Sequence, residues 1–341
     1  MMKISIIGAG SWGTALAILL GKKGYDVNLW VYEGEVCACI KKTRENIRYL
    51  PGVKIPENVS PSTNLGQTVG KGRVLVMAVP SHVVRTMSAR VADFADSGQI
   101  IVNVAKGLED NTFLRLSQVI EETIPGCRVA VLSGPSHAEE VSRDIPTAVV
   151  VSSRDRQTAE YIQDIFMTPN FRVYTNPDLV GVEISGALKN IIALAAGISD
   201  GLGFGDNTKA ALMTRGIVEI ARLGGKLKAN PLTFAGLSGI GDLIVTCTSQ
   251  HSRNRKAGIA IGRGAALEDI IDQGGMVVEG VNATKVAYHM AEKLKVEMPI
   301  VEQLYRVLFM KSDPKEAVVN LMLRSKTEEI EGTVLSTNEK W

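Results

Sequence analysis

Lys189 is the residue whose setting most demands a chemical explanation. Between Glu183 and Asp200 it is the only charged side chain, embedded in Ile184-Ser185-Gly186-Ala187-Leu188-Lys189-Asn190-Ile191-Ile192-Ala193-Leu194. Desolvation disfavours an ammonium and draws a lysine down from its solution pKa of about 10.4 toward the range useful for proton transfer. The local sequence fits two readings equally, a proton donor and acceptor or a lysine snorkelling from an otherwise buried helix. Lys106 stands between the apolar run 100–104 and Gly107. A strand end there would aim it at a ligand, and a solvated loop lysine is the alternative. Further on, Gly239-Ile240-Gly241-Asp242 and Ser252-Arg253-Asn254-Arg255 gather a carboxylate, a hydroxyl, two guanidinium groups and an amide. That inventory suits a polyol phosphate. Arginine forms planar bidentate bonds to phosphate oxygens, Ser252 and Asn254 add neutral hydrogen bonds, and Asp242 can accept from a hydroxyl. If Ser252 caps a helix, its first-turn amides also face the anion. A capped, solvated helix start accounts for Ser252-Arg253-Asn254 taken alone.

These groups need a frame, and the start of the chain supplies one. Ile4, Ile6 and Ile7 make a short apolar strand, followed by Gly8-Ala9-Gly10-Ser11-Trp12-Gly13 and a helical pattern through Leu16, Leu19 and Leu20. Gly8 allows a tight exit, Gly10 lets backbone N–H groups approach a pyrophosphate, and Gly13 permits close helix packing, the sequence form of a dinucleotide-binding crevice. The helix N-terminus, with its unbonded amides and positive dipole end, then faces the phosphates. Further strands are expected at 26–31, 73–79, 100–104, 128–132, 147–151 and 171–174, alternating with helices as in a parallel sheet with crossovers. Several strand ends carry Pro80-Ser81, Lys106-Gly107 or Ser133-Gly134-Pro135-Ser136, where such sheets bind ligands. From about Asn176 helical periodicity takes over. Ala283, Val286, Ala287, Met290 and Leu294 form one stripe, and Val301, Leu304, Tyr305 and Leu308 another, most simply as core. The expectation is an α/β chain. Residues 1–178 form a Rossmann-type doubly wound sheet, residues 179–335 an all-α domain carrying the substrate and catalytic groups, and residues 336–341 a polar mobile tail.

Composition narrows the function. Lys plus Arg (38) nearly balances Asp plus Glu (36), so a net charge of +2 gives no general surface for nucleic acid or membrane, and anion binding must be local. Cys37, Cys39, Cys127 and Cys247 lack zinc spacing and read as reduced structural thiols, the first two on a surface helix. His82, His137, His251 and His289 are scattered, which argues against a catalytic metal. No glycine-rich loop ends in Lys-Ser or Lys-Thr, as nucleoside-triphosphate chemistry would require. With a strand at residue 3 and no apolar run of membrane-spanning length, a cytoplasmic protein without membrane insertion is expected.

The chain resembles the NAD(P)-dependent glycerol-3-phosphate dehydrogenase family of bacterial type over nearly its whole length. The resemblance is carried by Gly8 through Ala17, Lys106-Gly107-Leu108, Ser133-Gly134-Pro135-Ser136, Leu188-Lys189-Asn190, Ser199-Asp200-Gly201-Leu202-Gly203, Asp242 and Ser252-Arg253-Asn254. It implies reversible hydride transfer between NADPH or NADH and C2 of a three-carbon phosphate, interconverting dihydroxyacetone phosphate and sn-glycerol 3-phosphate, which feeds glycerophospholipid synthesis. Lys189 matches the proton donor and acceptor of the family. Lys106, Gly134, Ser136, Asp242, Ser252, Arg253 and Asn254 would bind substrate alongside it. Ser11, Trp12, Lys106, Ala138, Arg253, Val277 and Glu279 would touch cofactor, so Lys106 and Arg253 bridge both ligands. The family also implies a homodimer. One stretch departs from the common pattern. After the second strand the chain reads Leu29-Trp30-Val31-Tyr32-Glu33, where relatives often carry a basic residue for a ribose 2′-phosphate. Glu33 suits a free 2′-hydroxyl, while Lys41, Lys42 or Arg44 could still serve the phosphate, which leaves both cofactors open. Two other functions use similar parts. Hydroxyacid or ketopantoate reductases also carry a lysine after the sheet, and a non-catalytic NAD(P)H sensor could use the same crevice.

Overall fold

Alternation of apolar residues onto two faces builds the first half of the chain. In the computed structural model, which describes residues 2–70, 72–274, 278–326 and 328–329, the strands are β1 (Lys3–Ile7), β2 (Asp26–Trp30), β3 (Glu45–Asn46), β4 (Leu50–Lys54), β5 (Val59–Ser62), β6 (Val74–Met77), β7 (Ile100–Asn103), β8 (Arg128–Ser133), β9 (Thr147–Ser153) and β10 (Phe171–Asn176). Eight of them form one sheet in the order β5-β2-β1-β6-β7-β8-β9-β10. Ile4, Ile6, Val74, Val76, Ile100 and Val102 point into a core on one face, and Ile7, Leu75, Met77 and Ile101 into a second core on the other. Helices cover both faces, Ser11–Lys22 and Arg156–Phe166 on the first, Val84–Ala92 and Leu116–Thr123 on the second. A doubly wound sheet results, with near-continuous apolar strands as burial on both faces requires.

Two features depart from the expectation of a parallel sheet with seven strands. First, β9 pairs with β8 antiparallel, Ala130 opposite Ser153 and Ser133 opposite Val150, and β10 then runs parallel to β9. The connection from β8 to β9 holds only the helix Ala138–Val141. A parallel return would normally use a longer crossover helix packed across the sheet, and here the chain turns back beside β8 instead. Second, β5 was not anticipated. Its Val-Ser-Pro-Ser sequence reads as a loop, yet it is an edge strand paired only with β2, where proline is tolerated. The small antiparallel pair β3 and β4 is likewise hidden by Pro51 and Gly52.

The chain divides into two compact units. One comprises the residues up to Leu179 except Gly107–Phe113, and the other that segment with everything from Val180 onward. The excursion has a cause within the second unit: Leu108 is buried in its core, and Asp110 pairs with Lys285 at 3.0 Å. The second unit is built around the helix Leu179–Gly201. Ile184, Ala187, Leu188, Ile191, Ile192, Ala193, Leu194 and Ala196 are all fully buried, as a helix apolar on every side must be. This helix corrects one expectation, since its length and composition would let it cross a bilayer, yet it is almost wholly enclosed by the protein itself. Around it pack Asp206–Lys226, Asp242–Thr248, Arg253–Gly262, Glu279–Leu294 and Pro299–Phe309, among others. The two stripes lie in this core, except that Leu294 and Tyr305 are only partly buried, with Tyr305 stacked on Tyr288 at 3.9 Å. All four cysteines are free thiols, Cys37 and Cys39 lying on the helix Gly34–Thr43. The expected tail at 336–341 lies outside the described residues.

Candidate active site

In the first unit the glycine turn sits where the strand order reverses, between β1 and β6. Gly8 has φ +114°, and a Cβ there would lie 2.5 Å from the Ala78 carbonyl oxygen at the end of β6. Gly13 brings the helix against β1, and a Cβ on it would overlap the Gly8 carbonyl oxygen. Gly10 is different. It caps the helix Ser11–Lys22 in extended conformation, with open space where a side chain would be. The first-turn amides of Ser11, Trp12 and Gly13 have no partner within the helix by its geometry, and no side chain caps this end. Two glycines are therefore demanded by packing, whereas the third keeps a cradle clear for an anion such as a dinucleotide pyrophosphate. Ala138, buried, opens the short helix that packs beside Ser11–Lys22.

Beyond β2, Glu33 caps the helix Gly34–Thr43, and its carboxylate accepts a hydrogen bond from the Tyr49 hydroxyl at 2.5 Å. Of the cations considered for a 2′-phosphate, Arg44 is committed elsewhere: its guanidinium donates to the carbonyl oxygens of Ile55, Pro56 and Val59. Lys41 and Lys42 are exposed. Past β7 and β8, Lys106 Nζ donates to the Gly134 carbonyl oxygen at 3.0 Å and Ser136 Oγ to the same oxygen at 2.9 Å. Gly134 has φ +131°, a conformation side chains rarely adopt, so glycine is required to bend the chain there. Lys106, Gly134 and Ser136 thus form one hydrogen-bonded group at the carboxyl ends of two neighbouring strands.

In the second unit Lys189, 5% exposed, does not snorkel. Its Nζ donates to Asp242 Oδ1 at 2.5 Å and to Thr246 Oγ1 at 2.7 Å, and that hydroxyl donates to the Asp242 carbonyl oxygen at 2.6 Å. Asp242, 1% exposed, begins the helix Asp242–Thr248, and residue 246 follows one turn later on the same face. Gly239 makes the preceding turn possible by lying against the Phe234 backbone. Burial works against the ammonium, while a carboxylate in contact supports it and, with the Thr246 hydroxyl, orients it. Asp242 is therefore engaged first with Lys189 rather than standing ready only for a hydroxyl.

Ser252 does cap Arg253–Gly262, its Oγ accepting from Arg255 N at 3.2 Å. Arg253 is exposed, whereas Arg255 is drawn onto Asp200. Asn254 braces the site: its Nδ2 donates to Asn190 Oδ1 at 2.9 Å, and its Oδ1 accepts from Gly280 N at 2.9 Å. Glu279, beside that glycine, opens the helix Glu279–Leu294 and is partly exposed. Val277 lies outside the described residues. The structure thus gathers Lys189, Asp242, Ser252, Arg253, Asn254 and Glu279 in one unit, and Gly8, Gly10, Ser11, Trp12, Gly13, Lys106, Gly134, Ser136 and Ala138 in the other. Thr246 and Asn190 were assigned no role from sequence. The i, i+4 spacing of Asp242 and Thr246 on one helix was the available signal.

Comparison with known proteins gives a consistent result. Family models described as the N-terminus and C-terminus of NAD-dependent glycerol-3-phosphate dehydrogenase match residues 3–159 and 178–319. A Desulfitobacterium hafniense protein named glycerol-3-phosphate dehydrogenase [NAD(P)+] is 55% identical over 340 residues, spanning 100% of this chain and 96% of that one. A Moorella thermoacetica protein of the same name is 56% identical over 96% of this chain and 98% of its own. The crystal structure of glycerol-3-phosphate dehydrogenase from Coxiella burnetii superposes with a TM-score of 0.91 at 38% identity, covering 95% of this chain and 99% of that one.

Proposed function

Because the chain belongs to the NAD-dependent glycerol-3-phosphate dehydrogenase family, we propose that it reduces dihydroxyacetone phosphate reversibly to sn-glycerol 3-phosphate at the expense of NAD(P)H, with Lys189 as the proton donor. The observation that carries the mechanism is a buried ammonium held by a carboxylate and a hydroxyl on one helix face. Gly8, Gly10 and Gly13, with the first turn after them, would hold the nicotinamide dinucleotide, which supplies a hydride to C2. As the C2 carbonyl oxygen gains negative charge, the Lys189 ammonium neutralises it and gives up a proton; in the oxidising direction the amine takes that proton back. Asp242 and Thr246 fix the direction of Nζ in both protonation states. Arg253, exposed at a helix start capped by Ser252, takes the phosphate together with the first-turn amides. Lys106, Gly134 and Ser136 take the remaining polar groups of the substrate, and Ala138, Arg253 and Glu279 complete the contacts to cofactor.

Both NADH and NADPH serve, in this reading, because Glu33 and Tyr49 suit a ribose hydroxyl while Lys41 and Lys42 remain exposed to solvent. A preference above about a hundredfold for either would overturn dual use. The supply of a glycerol phosphate backbone for membrane lipids follows from the product. A homodimer in the cytoplasm is part of the same proposal, supported by exposed Phe309 and Met310 at the end of one helix and Val319 and Met322 on the next, and by four free thiols. The test follows nicotinamide absorbance with purified protein against dihydroxyacetone phosphate, ketopantoate and short keto acids. Turnover with dihydroxyacetone phosphate is expected; turnover confined to ketopantoate or a keto acid, or absent with all, would refute the reading.

A further inference from the structure

The motif Ser199-Asp200-Gly201 has no part in the roles above, yet it lies at the end of the helix that carries Lys189. That helix and Arg253–Gly262 touch through their backbones. Gly197 and Gly201 lie against the carbonyl oxygens of Arg255 and Ile259, and Gly258 and Gly262 against those of Leu194 and Ile198; a Cβ on any of the four would overlap the opposing chain. The contact positions rise together, so the two helices run in the same direction. A seam of glycines permits close approach but has few side chains to interlock, so rotation and register must be set by polar contacts beside it.

Two such contacts come from the first turn of Arg253–Gly262, and they reach well-separated points on the Lys189 helix. Near Lys189 the contact is Asn254 to Asn190 at 2.9 Å. Asp200 stands eleven residues beyond Lys189, about three turns and roughly 16 Å along the axis. There Arg255 grips Asp200 Oδ2 through Nε at 2.8 Å and Nη2 at 2.7 Å, while Lys209 Nζ holds Oδ1 at 2.8 Å. All three side chains are mostly buried. Residues two apart on a helix project about 200° apart. Drawing Arg255 onto Asp200 therefore turns Arg253 to the opposite side, and Arg253 is the exposed one of the two.

We propose that Asp200 is a positioning residue for the substrate phosphate, acting through Arg255 to fix the roll of the helix that presents Arg253 and Asn254. This rests on the reading that Arg253 takes that phosphate. Without the Asp200 contact, the roll of that first turn rests on the Asn254 contact beside a smooth seam, and a second guanidinium competes for the same anion.

The experiment compares Asp200→Asn, Arg255→Gln, their double variant and the milder Arg255→Lys, which keeps the charge but loses the two-nitrogen grip. Each is measured for KM toward dihydroxyacetone phosphate, kcat, NADH affinity by fluorescence and thermal midpoint. Each single variant should raise KM about tenfold or more, with kcat within about threefold and NADH affinity lowered far less than KM is raised, and the double should be no worse than either single. KM within about twofold of wild type in the singles, effects that multiply in the double, or a joint fall of kcat and NADH affinity with the midpoint would each overturn it. Arg253→Ala separates the two layers. If its KM is unchanged, the phosphate assignment itself fails; if its KM rises while the Asp200 and Arg255 variants stay normal, only the positioning role fails.

Discussion

Replacing Lys189 with methionine removes the ammonium that stands 2.5 Å from Asp242 Oδ1, at a place where the aspartate is almost completely enclosed. Two opposing effects set the size of the consequence. Taking each ion out of water costs several kcal/mol, and the attraction between them offsets this only while both are present. Deleting one partner leaves the desolvation of the other in place, so the loss is about 3–5 kcal/mol. For a unit of this length each kcal/mol moves the midpoint about 2–4 °C, which gives a fall of roughly 6–20 °C. Asp242→Asn should destabilise by a similar amount from the other side. The double variant carries no buried charge from the pair, so its loss should be smaller than the sum by about 2 kcal/mol or more. Calorimetric unfolding of the four proteins at neutral pH measures this. Additive losses, or a Lys189→Met midpoint equal to wild type, would show that the two charges are not coupled as their separation requires.

The glycine turn separates packing from ligand access. Gly10→Ala, facing open space, should keep the thermal midpoint within about 2 °C and weaken NADH binding about tenfold or more, whereas Gly13→Ala should lose stability as well, both read by thermal unfolding and fluorescence titration. Glu219, buried and accepting from Ile300 N and Val301 N at the start of the helix Pro299–Phe309, has its carboxyl pushed up from 4.5 to about 7, chiefly by burial. A raised carboxyl binds its proton more tightly in the folded state, so stability is highest below the unfolded value and falls as pH rises from about 4.5 to 7, by about 3 kcal/mol. Glu219→Gln should flatten that part of the midpoint against pH curve and be the more stable protein at pH above about 7; an unchanged slope would refute the assignment. Glu33→Arg should shift the ratio of kcat/KM for NADPH over NADH upward by about tenfold or more, and no shift in steady-state kinetics would remove Glu33 from cofactor choice.

What could be read in the sequence divides by the range of the physics. The β1 turn was legible because Gly8, Gly10 and Gly13 answer local demands, and the structure separates those demands into packing at Gly8 and Gly13 and open space at Gly10. The strands with continuous apolar runs were legible because burial on both faces leaves that signature. β5 was not, since an edge strand tolerates Pro61 and exposes Ser60. The reversal of β9 follows a connection that holds only a four-residue helix, and the alternating apolar strand pattern reads the same in either direction. At the site, Lys189 stood out as a lone charge and Asp242 as a substrate ligand, but their pairing and Thr246 did not: Asp242 and Thr246 lie 53 and 57 residues from Lys189, and only the folded helices bring them together. Arg255 illustrates the same limit, for its sequence neighbours suggest a phosphate ligand whereas its contacts turn it to Asp200. The apolar length of Leu179–Gly201, with glycines at 197 and 201, is explained by a core helix that must also admit another backbone at contact distance.

The most direct measurement of the central claim is turnover of dihydroxyacetone phosphate by Lys189→Ala beside wild type, with NADH affinity determined on the same preparations. A loss of about 10²–10⁴ in kcat with NADH binding unchanged is the expected result, the size of a missing proton donor. Near-normal turnover in the variant would contradict the role given to the buried amine.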